Sequence, residues 1–103
     1  MKKEIDGVMY DTEKAKILTT IPVYNEGDVE LYIVSADRYF TVKNNIIEPL
    51  NEYQAKAMVY INIGVEGYLQ LFKFLTDYEF KEIKAHLPEF SGKGNKKKEI
   101  YQI

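Results

Sequence analysis

Apolar residues along this chain switch between two spacings. From Asp28 they alternate, with Val29, Leu31 and Ile33 on one side and Glu30 and Tyr32 on the other, the period of a strand with one buried face. The run "RYFTVK" repeats the pattern, Phe40 and Val42 sharing a face against Tyr39, Thr41 and Lys43. Together the two runs predict an antiparallel hairpin. An earlier hairpin is predicted at Asp6-Gly7, because glycine accepts positive φ and aspartate tolerates it, so Ile5 can pair across the turn with Val8-Met9-Tyr10. "TTIPVY" reads as an edge strand, since Pro22 lacks the amide that a central ladder position needs.

Between and after these strands the period becomes helical. In "DTEKAKIL", Asp11 or Thr12 can cap orphan amides, Glu13 suits the positive end of a helix, and Ala15 with Leu18 makes a narrow apolar stripe. About two helical turns are expected there. Asn44-Asn45 is a turn signal, after which "IIEPL" is expected to lead away from the sheet, with Pro49 disfavouring helix just before it. Asn51 and Gln54 form a capping-box pattern and Gly64 stands where a left-handed C-terminal cap belongs, which predicts a helix between them. The β-branched run "MVYINI" leaves residues 57–63 open between helix and strand. Tyr68, Leu71, Phe72 and Leu75 then recur on one helical face; Thr76 with Glu79 repeats the capping box, and Phe80, Ile83 and Leu87 follow until Pro88. The expected fold is α+β: a small antiparallel sheet, built from the N-terminal and central hairpins, packed with about three helices. Residues 1–90 form that single domain, and 91–103 a basic flexible tail.

Composition narrows the function. A length of 103 residues suits one domain, and 46% hydrophobic with 29% charged residues is ordinary for a globular one. The absence of cysteine excludes disulfides, thiolate catalysis and Cys-based zinc sites. The opening "MKKEIDG" has no apolar segment behind its lysines, and no stretch reaches the roughly 18 apolar residues of a membrane helix, so a cytoplasmic location is expected. Charge is uneven. Residues 1–92 carry 15 acidic against 10 basic side chains, whereas Lys93, Lys96, Lys97 and Lys98 oppose only Glu99 beyond them. No basic residue lies between Lys16 and Arg38, where Glu26, Asp28, Glu30 and Asp37 fall. Such a face repels phosphates and attracts basic protein surfaces.

No catalytic constellation accompanies these elements. His86, the single histidine, has no cysteine partner and sits near a helix end, where an imidazolium meets the dipole favourably. "NEGDVE" lacks most ligands of a calcium loop, and "SGKGNKK" lacks the spacing of a phosphate loop, so neither a metal nor a cofactor is expected. Nine tyrosines and no tryptophan stand out, tyrosine being enriched where proteins touch proteins. If Tyr32 and Tyr39 face outward beside Glu30, then Glu26, Asp28, Glu30, Tyr32, Asp37 and Tyr39 compose an acidic, aromatic patch for a basic partner. If both sheet faces are covered, the two rings are core. The four tail lysines offer a weak, salt-sensitive nucleic-acid contact or a solubilising segment.

The run I-x-G-x-x-Y-D-T-E-x-A, carried here by Ile5, Gly7, Tyr10, Asp11, Thr12, Glu13 and Ala15, resembles the start of small proteins on phages, plasmids and integrative elements of Gram-positive bacteria. Their "LYxTxxGxYF" hairpin is matched by "LYIVSADRYF", and their "PLSxxEA" helix start by "PLNEYQA". Val34 and Asp37 depart from the usual Thr and Gly, and the tryptophan common in the first long helix is absent. Some proteins with this beginning are anti-CRISPR proteins. The resemblance therefore implies an inhibitor of the type II RNA-guided nuclease or of its guide loading, with that effector nuclease as protein partner. A DNA-binding accessory protein of the mobile element is the alternative.

Overall fold

The structure, a computed structural model, describes residues 1–23 and 27–90. Two antiparallel sheets and two helices make up the fold. Strands β1 (Lys2–Ile5) and β2 (Val8–Asp11) form the N-terminal hairpin, and Asp6 and Gly7 have φ of 52° and 79°, as a tight turn of this hand requires. Strands β3 (Lys16–Val23), β4 (Gly27–Ser35), β5 (Arg38–Lys43) and β6 (Ile46–Asn51) follow as a meander in the order β3-β4-β5-β6.

The one sheet expected from both hairpins is instead two, because the N-terminal hairpin packs on the four-stranded meander without hydrogen-bonding to it, and further expectations are corrected with it. The helix over 12–18 does not form. The Asp11 carboxylate accepts the Glu13 amide at 2.9 Å and the Asp11 carbonyl accepts the Ala15 amide at 2.9 Å, so the capping signals serve one turn only. The β-branched run that follows gains more by pairing with β4 along its whole length than by continuing a helix with two apolar contacts. Likewise "IIEPL" does not leave the sheet: it is β6, paired with β5 from Lys43↔Ile46 to Arg38↔Asn51. Pro49 is tolerated because β6 is an edge strand, as Pro22 is in β3 at the other edge.

Both faces of this sheet are covered. On one, Ile21, Val29, Leu31, Tyr39 and Leu50 pack with Ala55, Val59, Tyr68 and Ile83 of the helices. On the other, Phe40 and Ile47 pack with Tyr10 of the N-terminal hairpin, and Ile5, Val8, Tyr32 and Val42 complete that smaller cluster.

Helix α1 spans Glu52–Phe72 and α2 spans Asp77–His86, with a single 3-10 turn at Leu87–Glu89. Both capping boxes form: Asn51 Oδ1 accepts the Gln54 amide at 2.8 Å, and Thr76 Oγ1 accepts the Glu79 amide at 3.1 Å. Residues 57–63 are helical, not extended. Two helices are present rather than three, because the first two expected segments join without a loop. Gly64 ends the first run of turns with a positive φ, at φ 78° and ψ −178°, and a second run begins directly after it. A straight helix would separate residues 56 and 72 by about 24 Å at 1.5 Å per residue. Instead the Lys56 ammonium lies 5.5 Å from the Phe72 ring, and Tyr60 lies 6.4 Å from Tyr68, ring to ring. The second half of α1 therefore folds back along the first. That conformation is essentially restricted to glycine.

Gly64→Ala, whose methyl group would meet open space, isolates this backbone requirement. We expect it to lower unfolding free energy by about 1–3 kcal/mol in urea titrations, and an unchanged midpoint would show that the elbow is not glycine-dependent.

Candidate interaction surface

The acidic, aromatic set read from the sequence does not assemble as one patch. Asp28, Glu30 and Tyr32 share a face of β4, but Tyr39 is 3% exposed on the opposite face, under the helices. Register is the reason. A bulge between Ile33 and Ser35 pairs Tyr32 with Phe40 and Ile33 with Tyr39, and in a strand a one-residue offset exchanges faces. Tyr32 stacks on Phe40 with ring centroids 4.9 Å apart and planes 2° from parallel, and its hydroxyl donates to Glu30 Oε1 at 3.2 Å. Partial burial and then the Glu30 carboxylate hold the Tyr32 phenol above its ordinary range. Asp37 lies in the turn at the other end of the sheet, roughly 15–20 Å from Glu30 along the strands, where its carboxylate accepts the Ser35 hydroxyl at 3.0 Å. Glu26 and the four tail lysines, Lys93, Lys96, Lys97 and Lys98, lie outside the described residues.

Asp37 nonetheless has acidic and aromatic neighbours. At its end of the sheet β5 begins, β6 ends, and both capped helix starts, Asn51 and Thr76, come together over one cation. Lys56 is buried, with its ammonium 2.7 Å from Glu52 Oε2 and 2.8 Å from Glu79 Oε2. The rings of Tyr53 and Phe72 lie 5.6 and 5.5 Å from it, within cation–π range. Burial by itself would depress the Lys56 pKa, but the bonds to Glu52 and Glu79 outweigh it and raise the pKa well above the ordinary lysine range. The Lys56 bond and the Thr76 amide hold the Glu79 carboxyl below its ordinary range. Tyr68, wholly buried beneath, has its phenol pushed up to about 12 by burial, against the attraction of Lys56, and its hydroxyl has no hydrogen-bond partner among the described residues. The Tyr39 phenol is likewise raised, by burial first; Lys56 opposes the shift, and Glu52 and Asp37 add to it.

Above this buried cation the surface is aromatic. Phe74 is 72% exposed and Tyr78 65% exposed, the two most solvent-accessible aromatic rings among the large apolar side chains that reach water. They flank the Thr76 cap. Lys73 holds φ 70° and ψ −33°, and the Phe74 amide donates to the Phe72 carbonyl at 2.8 Å, a γ-turn of the rare positive-φ kind. A non-glycine residue held there costs about 1–3 kcal/mol. The strained turn lifts Phe74 off the helical face to which Phe72 and Leu75 belong. The Tyr53 phenol is raised by desolvation first, with Glu52, Tyr78 and Glu79 adding to the shift and Lys56 opposing it. Asp77 is exposed in the first turn of α2. Around the Thr76 cap the surface thus presents Phe74, Asp77 and Tyr78, with Lys73 and Lys81 also exposed there.

Sequence reading missed Phe74 and Tyr78. A signal existed: Phe74 is an aromatic residue out of phase with the stripe of Tyr68, Leu71, Phe72 and Leu75, two positions before a helix cap. His86 Nδ1 is bonded to one oxygen of Glu89, whose other oxygen accepts from the Gln54 side-chain amide Nε2 at 3.1 Å and so ties the last turn to the start of α1. Among the described residues no group of three or more His, Cys, Asp or Glu could hold a metal ion, and no helix is long and apolar enough to cross a membrane. Comparison with protein-family models, curated proteins and solved structures finds no match to this chain.

Lys56→Ala leaves two carboxylates facing each other. We expect it to cost about 2–3 kcal/mol, below the roughly 3–5 of a fully buried pair because both carboxylates keep some water, while the apolar Lys56→Met costs less. The pH dependence carries the signs of both shifts. The lowered Glu79 pKa contributes stability that is present above the ordinary carboxylate value of 4.5 and lost as pH falls through the folded value. The raised Lys56 pKa contributes stability that is complete below 10.5 and lost as pH rises through its folded value. Urea midpoints measured from pH 2 to 7 should rise less steeply in Lys56→Met than in the native chain; equal slopes would show the network to be energetically idle.

Proposed function

We propose that this chain is a non-enzymatic binding module that inhibits the type II RNA-guided nuclease of a bacterial host on behalf of a mobile element. The motif resemblance over residues 5 to about 75 supplies the target class. The observation that carries the binding reading is the exposure of Phe74, next to the strained Lys73 turn, and of Tyr78, beside Asp77 in the first turn of α2. Large aromatic rings exposed to water are what interface anchors look like before the partner arrives. Nucleases of this class keep guide and target in a positively charged channel, and an acidic, aromatic end is complementary to basic protein at its margin. A net charge of −5 over residues 1–92 is small for imitation of a duplex. Contact with one nuclease domain, or with the protein before its guide is loaded, fits that charge better.

Cleavage of a linear target by purified type II nuclease, with this protein in excess and added either before or after the guide, tests the reading. Cutting is expected to fall in at least one order of addition. Undiminished cutting in both orders overturns the proposal, and a salt-sensitive mobility shift on DNA alone would favour a DNA-binding accessory protein instead.

A further inference from the structure

We propose that Gly64 is the hinge of an exchanged dimer, in which two copies of this chain swap residues 65–90 so that the second half of α1 and all of α2 of each copy pack on the other's sheet. The inference stands apart from the nuclease reading and starts from the backbone of the elbow. Helix runs up to Gly64 and resumes directly after it, with that one residue at φ 78° and ψ −178° between them. Rotating Gly64 alone into the helical region would make the 21 residues of α1 a single straight helix, about 32 Å long at roughly 1.5 Å per residue. A connection with no loop residue to spare is the kind that opens by exchange between copies. What leaves one copy finds the same site vacated on the other. The Lys56–Glu79 ion pair and the contacts of the Tyr60 ring with Tyr68 and Phe80 all join residues 52–63 to residues 65–90, and each forms as well between two chains as within one.

The surface of the elbow is suited to a second copy. Gly64 is exposed, and a Cβ placed on it would meet no described atom within 4 Å, which leaves room for another helix to cross there. In the bent chain Val65 is 45% and Leu69 39% exposed, and Ile61 is half-buried. In a straight helix these three fall at i, i+4 and i+8 on one face. Two such helices crossing antiparallel at Val65 set Val65 against itself and Ile61 of one copy against Leu69 of the other, the self-complementary match that a two-fold axis requires. Glu66 is the only charged residue from Ala57 to Phe72, and it lies about 100° round the helix from Val65, so like charges do not meet in the seam. The balance is set by two glycines. The positive φ of Gly64 belongs to the bent form alone, and at Gly67 an added Cβ would lie 2.7 Å from Ile63 Cγ1 in that form, whereas in a straight helix Ile63 leans toward the N-terminus, away from residue 67. Both residues are also poor helix formers, so they favour the closed monomer and penalise the straight helix.

The full chain, as the native protein, Gly64→Ala, Gly67→Ala and the double variant Gly64→Ala/Val65→Glu, is refolded from urea at micromolar and at millimolar concentration and sized by light scattering, with amide dispersion to show that each is folded. The native chain is expected to give a minor dimer at the higher concentration. Gly64→Ala should raise the dimerisation constant about a hundred-fold, roughly tenfold for each of the two hinges that lose a positive φ and gain a better helix former. Gly67→Ala should act in the same direction by a smaller factor, and adding Val65→Glu, which sets two acids face to face in the seam, should reverse the gain by at least about tenfold. In a dimer of mixed labelled and unlabelled chains, isotope-filtered NMR should find the Tyr60–Phe80 contact, 5.5 Å between ring centroids, running from one chain to the other. The proposal is overturned if the native chain or Gly64→Ala refolds at millimolar concentration as monomer alone, if the Tyr60–Phe80 contact of the dimer stays within one chain, as in side-by-side association, or if Val65→Glu leaves the dimerisation constant unchanged.

Discussion

The ammonium of Lys56 is the point to which each part of the helical layer contributes. Glu52 comes from the first turn of α1, Phe72 from its last turn after the chain has doubled back, and Glu79 from the first turn of α2. None of the three would stay there alone. Two carboxylates close enough to share one cation repel each other without it, and an ammonium this far from water is tolerated only because both are present. The pairing therefore fixes more than energy. It sets the distance between the starts of the two helices, and through Phe72 it sets where the reversed half of α1 lies against β5.

The exposed rings depend on that arrangement. Phe74 is displayed because the chain must pass from Phe72, held near Lys56, to Thr76, held by its own cap, in very few residues. Lys73 absorbs the mismatch in a strained backbone conformation. The backbone at the base of this ring is fixed before a partner arrives, which leaves the side-chain rotamers to be ordered on binding. Beneath it Tyr68 contributes bulk but no hydrogen bond, which makes the layer dense rather than adaptable.

How much of this could be read from residue order followed from how local the determining interactions are. Both capping boxes were legible because donor and acceptor lie three residues apart, and so were the β4 and β5 strands, whose alternation is written in consecutive positions. The helix over 12–18 was misread because a true capping signal at Asp11 is followed by a segment whose partner strand lies beyond a turn. Tyr39 was assigned to the outer face because the bulge at Val34 leaves no compositional mark, yet shifts every later pairing by one. Lys56 was invisible for the same reason of distance. With Glu52 it looks like any surface pair four residues apart on a helix, and only folding brings Glu79 to it.

The two prolines at the margins of the sheet have a consequence for the protein's life in a crowded cell. An eight-residue outer strand such as Lys16–Val23, rich in threonine and isoleucine, is the kind of segment on which further chains nucleate fibrils. Pro22 on that side and Pro49 on the other leave gaps in the hydrogen-bonding row that an incoming strand would have to leave unfilled. The folded chain thus offers further copies of itself a poor template for extending the sheet.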